Sequence, residues 1–550
     1  MDDLTAQGAG GIAGRIRDWH HAILLADRWP RRAIAGIAGL IAALALQPLD
    51  LWPAFFVAFP LLVLLLDGTG DATRPRRADL AAAAGIGWFF GFGYFLAGLW
   101  WLGAAFLAGG DQFIWLMPLG VVGLPAFLAL FPAFGMMVAR LLWSRSAARV
   151  LALAFGLSLS EWVRSWIFTG FPWNGFGQAF ANQLVLVQIV SVIGTETLGV
   201  VAIAVAALPA LAIAARSRAG RFWPLAVIGL VLAAAAAFGM MRLQASGGVA
   251  VDFRTMPFVP NVKLRIMQPN VAQDAKNATR DGMKELESFL ALSDSAKGPH
   301  ASGIADVTHL IWPEAPFAFV LERKPQAIRA IRDYLPPGTV LVTGAVRAEP
   351  ESPERYRFFN SIHVIDRNGF IGTYDKVHLV PFGEYLPFEQ VLRAIGLKQF
   401  VNVIGGFTAS PARRPLAIPG LPPVVPTICF ENIFPRDLAG SVDGEGVFMN
   451  VTNDAWFGYT PGPYQHLAQA RLRSVEFGQP MVRAANSGIS AVFDAYGRVI
   501  AALPLGRADV LDAPLPAGLS KTLYKRIGWY SFAAVMIGFL LIGVFGRLKA

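Results

Sequence analysis

The chain has 550 residues, 55% of them hydrophobic and only 15% charged, with a mean hydropathy of +0.49 and a formal net charge of +10. Soluble domains carry roughly 25% charged residues, so one water-soluble globule is excluded as a description of the whole chain. The basic excess does not point to nucleic acid, because the arginines gather at the ends of apolar runs, where membrane orientation accounts for them.

A membrane-crossing helix needs about 20 apolar residues. Runs near that length lie at 33–47, 51–67, 79–108, 113–140, 149–168, 185–215 and 223–242, with an eighth at 529–547. The first two are short and are separated by Gln47-Pro48-Leu49-Asp50, which predicts a tight helical hairpin. The polar and basic stretch of roughly 30 residues ahead of them argues against a cleaved signal peptide. Glycines fall inside these runs, where close helix packing is their routine use.

Connecting segments alternate in charge. Arg28, Arg31 and Arg32, then Arg74, Arg76 and Arg77, then Arg140, Arg145 and Arg149, then Arg216, Arg218 and Arg221, and finally Arg547 and Lys549 mark one side. The intervening loops lack lysine and arginine almost completely. The positive-inside rule then places both termini in the cytoplasm and the segment between the seventh and eighth spans outside. Glu161, Arg164 and Glu196 are ionisable groups within or beside apolar runs, where such groups are paired, functional or interfacial anchors. The aromatic loop Phe171-Pro172-Trp173-Asn174-Gly175-Phe176-Gly177 reads as a re-entrant lid or, more readily, an interfacial belt.

From residue 243 the pattern changes. Strands are predicted at 262–268, 310–312, 340–346, 358–365, 424–429, 447–451, 489–493 and 499–502, and helices at 281–292, 325–334 and 464–477. Asp366-Arg367-Asn368-Gly369 and Asp494-Ala495-Tyr496-Gly497 mark hairpins. Strands alternating with helices predict a layered α/β domain. The expected organisation is a membrane domain over 1–242, an α/β domain over 243–520 and a last transmembrane helix within 521–550.

Three segments of this domain carry chemistry. Glu314 follows the strand ending in Ile311-Trp312-Pro313, where desolvation raises a carboxyl toward a useful base. Lys376 lies in Tyr374-Asp375-Lys376-Val377-His378-Leu379-Val380-Pro381-Phe382-Gly383-Glu384-Tyr385. Cys429, the single cysteine, ends a strand and precedes Phe430-Glu431-Asn432. Alone it cannot form an intramolecular disulfide. A strand-to-helix turn there would expose the sulfur to a helix dipole. A thiol that is mostly protonated at neutral pH needs a base and a cation beside it. Glu314 suits the first role, and Lys376 with backbone N–H groups after Cys429 suits an oxyanion hole. His378 and His466 are not needed for this chemistry. Glu431 has Arg436 and Arg483 as candidate ion-pair partners, and Glu384 has Lys376.

The order Glu, Lys, Cys within these motifs resembles the nitrilase (carbon–nitrogen hydrolase) superfamily. With Asn453-Asp454-Ala455-Trp456-Phe457-Gly458, Arg483-Ala484-Ala485-Asn486-Ser487-Gly488 and seven spans before and one after, the chain resembles the apolipoprotein N-acyltransferase family over nearly its whole length. The resemblance implies a polytopic α-helical membrane domain of about eight transmembrane helices plus a nitrilase-like αββα sandwich on the outer face of the bacterial inner membrane. It implies acyl transfer from a phospholipid to the N-terminal diacylglyceryl-cysteine of an apolipoprotein through a Cys thioester, with no metal, no other cofactor and no nucleic acid. By the same resemblance Glu314, Lys376 and Cys429 are catalytic, and Glu384, Glu431, Phe430 and Trp456 support the site or bind substrate. The chain departs from the family pattern in having Phe430 where tyrosine is usual. It also has Lys276-Asn277 where a tryptophan is expected after Gln268-Pro269-Asn270. A membrane-tethered hydrolase using water as acceptor, and a transporter or sensor with an external domain, are the alternatives.

Overall fold

In the computed structural model, the residues described are 12–69, 75–108, 111–272, 282–296, 303–314, 319–353, 355–394, 406–441 and 444–549. The chain divides into two compact units. One holds residues 1–100, 118–239 and 529–550, the other residues 101–117 and 240–528.

The first unit is helical. Among the described residues, five helical stretches of the chain are long and apolar enough to cross a membrane: Arg76–Ala108, Ile114–Leu141, Leu186–Ala214, Arg218–Gln244 and Tyr530–Leu548. Trp52–Asp67 is apolar but shorter. The runs at 33–47 and 149–168 become helices of 16 and 17 residues, Arg28–Ala43 and Ala148–Arg164. Contact between helix backbones explains several of the glycines. A Cβ on Gly156 would stand 2.2 Å from the Gly135 carbonyl oxygen, and one on Gly135 would stand 2.6 Å from the Gly156 oxygen. Only a residue without a side chain lets the two helices meet there.

The aromatic loop after Arg164 corrects an expectation. Trp173 and Phe176 are 1% and 3% exposed, so they form no belt. The reason is Arg164, whose guanidinium donates to the carbonyls of Phe171 (2.5 Å) and Trp173 (2.7 Å) and lies over the Phe95 ring. Glu161 sits 3.6 Å from that guanidinium and accepts from the Phe176 N–H at 3.1 Å. A charge within an apolar unit requires partners, and the loop supplies backbone carbonyls, so it is drawn inward.

The second unit is layered. One sheet has the order β11 (Asp509–Pro516), β1 (Phe258–Gln268), β2 (His309–Ile311), β3 (Val340–Ser352), β4 (Arg355–Asp366), β5 (Gly369–Asp375). The other has β10 (Val499–Leu503), β9 (Ser490–Phe493), β8 (Met481–Ala485), β7 (Val447–Thr452), β6 (Val424–Ile428). Each sheet joins three neighbouring parallel strands, β1-β2-β3 and β6-β7-β8, to antiparallel flanks. Alternation along the strands makes the layers. Leu264, Ile266, Val340, Val342, Val447, Met449 and Val451 meet between the sheets. Met267 and Leu341 face outward onto Gly282–Ser293 and Pro325–Tyr334, and Phe448 faces outward onto Pro461–Phe477. The result is helix, sheet, sheet, helix. Three strands escaped the sequence reading: β5, β8 and β11. β8 was missed because Arg483 interrupts an otherwise apolar run.

Gly156→Val should push the paired helices apart and destabilise the protein by about 1–3 kcal/mol, the usual cost of overpacking. A thermal melt in detergent checks this; an unchanged midpoint would contradict the backbone contact.

Candidate active site

The three predicted reactive groups come together at strand ends, where side chains leave the sheets and converge. Glu314 lies three residues past β2, Lys376 directly follows β5, and Cys429 directly follows β6. Lys376 is 1% exposed. Its Nζ is 2.9 Å from Glu384 and 3.8 Å from Glu314 Oε1. A buried ammonium persists only with such partners, and removing one costs about 3–5 kcal/mol.

Asn360 on β4, which sequence reasoning missed, bridges the two acids. Its Nδ2 donates to Glu314 Oε1 and to Glu384 Oε1, both at 2.7 Å. The Asn453 N–H donates to Glu314 Oε2 at 2.9 Å, so Glu314 is held from both sheets. The Val380 N–H donates to Glu384 Oε2 at 2.8 Å. Glu384 therefore orients Lys376 and does not stand free for substrate.

Electrostatics follow from burial. Desolvation raises the Glu314 pKa above the ordinary 4.5; Lys376 opposes this and Glu384 adds to it. Burial works against the Lys376 charge, yet Glu384 and Glu314 outweigh it and raise its pKa. Desolvation also drives the Cys429 thiol above its usual 9.0, helped by Glu314 and opposed by Lys376. Burial therefore favours the neutral thiol over the thiolate. The element after Cys429 is a single 3-10 turn, Cys429–Ile433, and not a long helix, so the expected dipole assistance is slight.

Cys429 has φ +49°, a left-handed conformation costly for a side-chain-bearing residue, of order 1–3 kcal/mol. Glu431, wholly buried, stabilises this elbow. It accepts from the N–H of Ile428 (2.8 Å), Val377 (2.9 Å) and His378 (3.2 Å), from Tyr374 Oη (2.8 Å) and from Arg413 (3.0 Å). Its ion-pair partner is thus Arg413, not Arg436 or Arg483, and it ties the cysteine turn to the lysine segment. Phe430 is buried with its ring edge-on to Phe434 at 5.1 Å and near His378 at 5.9 Å. Trp456 is half-buried in the turn Asp454–Phe457. Lys276-Asn277 lie outside the described residues.

Beneath the thiol, Asp454, His466 and Cys429 place ligand atoms within 4.8 Å of one another. The Arg483 guanidinium, 2.6 Å from Asp454, already supplies the positive charge there, which disfavours a cation. Arg483 within an apolar strand was the sequence signal for this network, since arginine is rarely fully buried without a partner.

Comparisons with known proteins identify the family. Residues 336–524 match the carbon-nitrogen hydrolase family, and residues 38–208 match the apolipoprotein N-acyltransferase N-terminal domain. The apolipoprotein N-acyltransferase of Rhodopseudomonas palustris is 46% identical over 98% of this chain and 98% of its own. The chain belongs to the apolipoprotein N-acyltransferase family. Those of Bradyrhizobium diazoefficiens, 44% identical over 97% of this chain and 98% of the relative, and of Brucella melitensis, 43% identical over 97% of each, are similar in extent. The protein is an acyltransferase of lipoprotein maturation with a nitrilase-like catalytic fold.

Two outcomes follow from the buried acids and the half-buried thiol. A base must be ionised, and a raised pKa moves that requirement upward, so the acid limb of kcat/KM should have its midpoint above pH 4.5; a limb at or below that value would remove Glu314 from the role. Alkylation of Cys429 in the free enzyme by iodoacetamide should be slow at pH 7 and still rising beyond pH 9; a plateau near neutrality would show a resting thiolate.

Proposed function

We propose that the protein transfers an acyl chain from a phospholipid to the α-amino group of an apolipoprotein's N-terminal diacylglyceryl-cysteine, by a ping-pong route through a thioester on Cys429. The observation that carries this reading is the convergence of buried Glu314 and Lys376 on the half-buried Cys429, where their charges act on the sulfur.

In the first half-reaction Glu314 takes the thiol proton as Sγ attacks the ester carbonyl. Lys376 and backbone N–H groups beside Cys429 stabilise the oxyanion. The intermediate collapses, the C–O bond breaks, and Glu314 returns the proton to the departing lysophospholipid hydroxyl. In the second half-reaction the amine attacks the thioester and Glu314 receives its proton. The C–S bond then breaks, an amide forms, and the sulfur regains the proton. Thioester and oxygen ester are close in energy, and the amide draws the sequence forward. Trp456 and Phe430 supply apolar surface near the sulfur for an acyl chain.

The same reading places about eight helices across the bacterial inner membrane, with residues 1–242 and 521–550 forming the membrane part and 243–520 facing the periplasm. The arginine-rich segments favour cytoplasmic termini. Both substrates are lipids and reach such a site by lateral diffusion.

Incubation with a phospholipid carrying a labelled acyl chain, without acceptor, should add one acyl group to Cys429 as a hydroxylamine-sensitive adduct. Addition of a diacylglyceryl-cysteine peptide should move the label to its amine. Cys429→Ser should form no thioester and lose at least about 10³-fold in rate. A normal rate in that variant, or release of the label only as free fatty acid, would overturn the acyltransfer route.

A further inference from the structure

A closed ring of buried polar groups lies under the nucleophile, and the mechanism above does not use it. His466, from the helix Pro461–Phe477, puts Nε2 3.1 Å from the Cys429 carbonyl oxygen. Its Nδ1 is 2.9 Å from Asp454 Oδ1. Asp454 takes Thr452 Oγ1 at 2.9 Å and Arg483 Nη2 at 2.6 Å. Arg483 donates onward to Asn450 Oδ1, and Asn450 Nδ2 reaches the same Cys429 carbonyl at 3.4 Å. Asp454, His466, Asn450 and Arg483 are each 1% exposed or less.

The chemistry of this ring has one direction. A carbonyl oxygen only accepts, so the 3.1 Å contact is favourable only when Nε2 carries a hydrogen. Nδ1 lies 2.9 Å from the Asp454 carboxylate, which only accepts, so that contact calls for an Nδ1–H; Arg483 Nη2 stands 3.1 Å from the same nitrogen. With a hydrogen on Nε2, the imidazole is an N–H donor aimed at one backbone atom. That atom belongs to the residue held at φ +49°. Rotation of Cys429 toward an ordinary conformation would swing its carbonyl away from His466. The ring therefore opposes relaxation of the turn that aims Sγ.

We propose that His466, anchored by Asp454 and Arg483, is a positioning residue for acyl transfer: its grip on the Cys429 carbonyl holds the sulfur in line with Glu314 and Lys376. This rests on Cys429 being the nucleophile. His466 does not touch the reacting acyl group in this role, and no proton passes through it. Geometry of this kind governs rate steeply, since a displacement of about 1 Å can cost 10²-fold.

The test compares His466→Gln with His466→Met. The two side chains are nearly equal in size, but only glutamine offers an N–H where Nε2 stands. Thioester formation from phospholipid is timed by intact-protein mass, per folded enzyme as counted from a thermal melt. Glutamine should stay within about 10-fold of the parent rate and methionine should fall about 10²-fold. KM for phospholipid should be unchanged in both. Equal rates for the two variants, or a loss that tracks melting temperature alone, would overturn the proposal. If the methionine variant does not fold, His466→Ala is read against the same glutamine variant. Absence of a thioester in the parent protein would instead overturn the nucleophile itself, so the two failures are distinguishable.

Discussion

One buried ion pair organises the catalytic unit. Lys376 is almost sealed from water, and its charge survives only because Glu384 lies 2.9 Å away with Glu314 behind it. Two carboxylates and one ammonium are an unbalanced set, and Asn360 and the Asn453 N–H make it tolerable by donating to the acids. The cluster can then hold a carboxyl whose pKa is raised, a lysine that stays charged, and a thiol that stays neutral until its proton has somewhere to go. Burial thus favours the neutral thiol over a standing thiolate.

The thiol is delivered to that cluster by strain that its surroundings offset. Cys429 adopts a left-handed backbone, and two independent devices hold it there. Glu431 takes hydrogen bonds from the strand before the elbow and from the lysine segment, while its charge is answered by Arg413. The Asp454–His466–Arg483 network holds the carbonyl from the other side. Both devices are buried charges satisfied by several donors, the condition under which such groups stabilise a unique arrangement instead of weakening it.

The helical unit obeys the same rule with different materials. Glycine pairs let backbones meet, and Arg164 inside an apolar environment gathers loop carbonyls around itself. The belt reading of the aromatic loop fails because composition reports that aromatics are present but not which way a neighbouring charge pulls them. Two expected spans came out as helices of 16 and 17 residues, Arg28–Ala43 and Ala148–Arg164, each ending before its apolar run did.

What the chain alone determined was periodicity and chemical type: the apolar runs, the alternating strands, the hairpin turns, and three reactive residues each set just past a strand. These are properties of near neighbours along the chain, so they survive translation into one dimension. What only the tertiary structure decided was partnership. Asn360 joining two acids, Arg413 rather than Arg436 or Arg483 answering Glu431, and His466 reaching the Cys429 carbonyl all link residues between 18 and 46 positions apart. Such contacts depend on how two sheets stack and where their strands end. Strand propensity does not encode that register; it emerges only when the apolar faces close on each other and leave the polar groups at the ends to find whatever partners the packing brings.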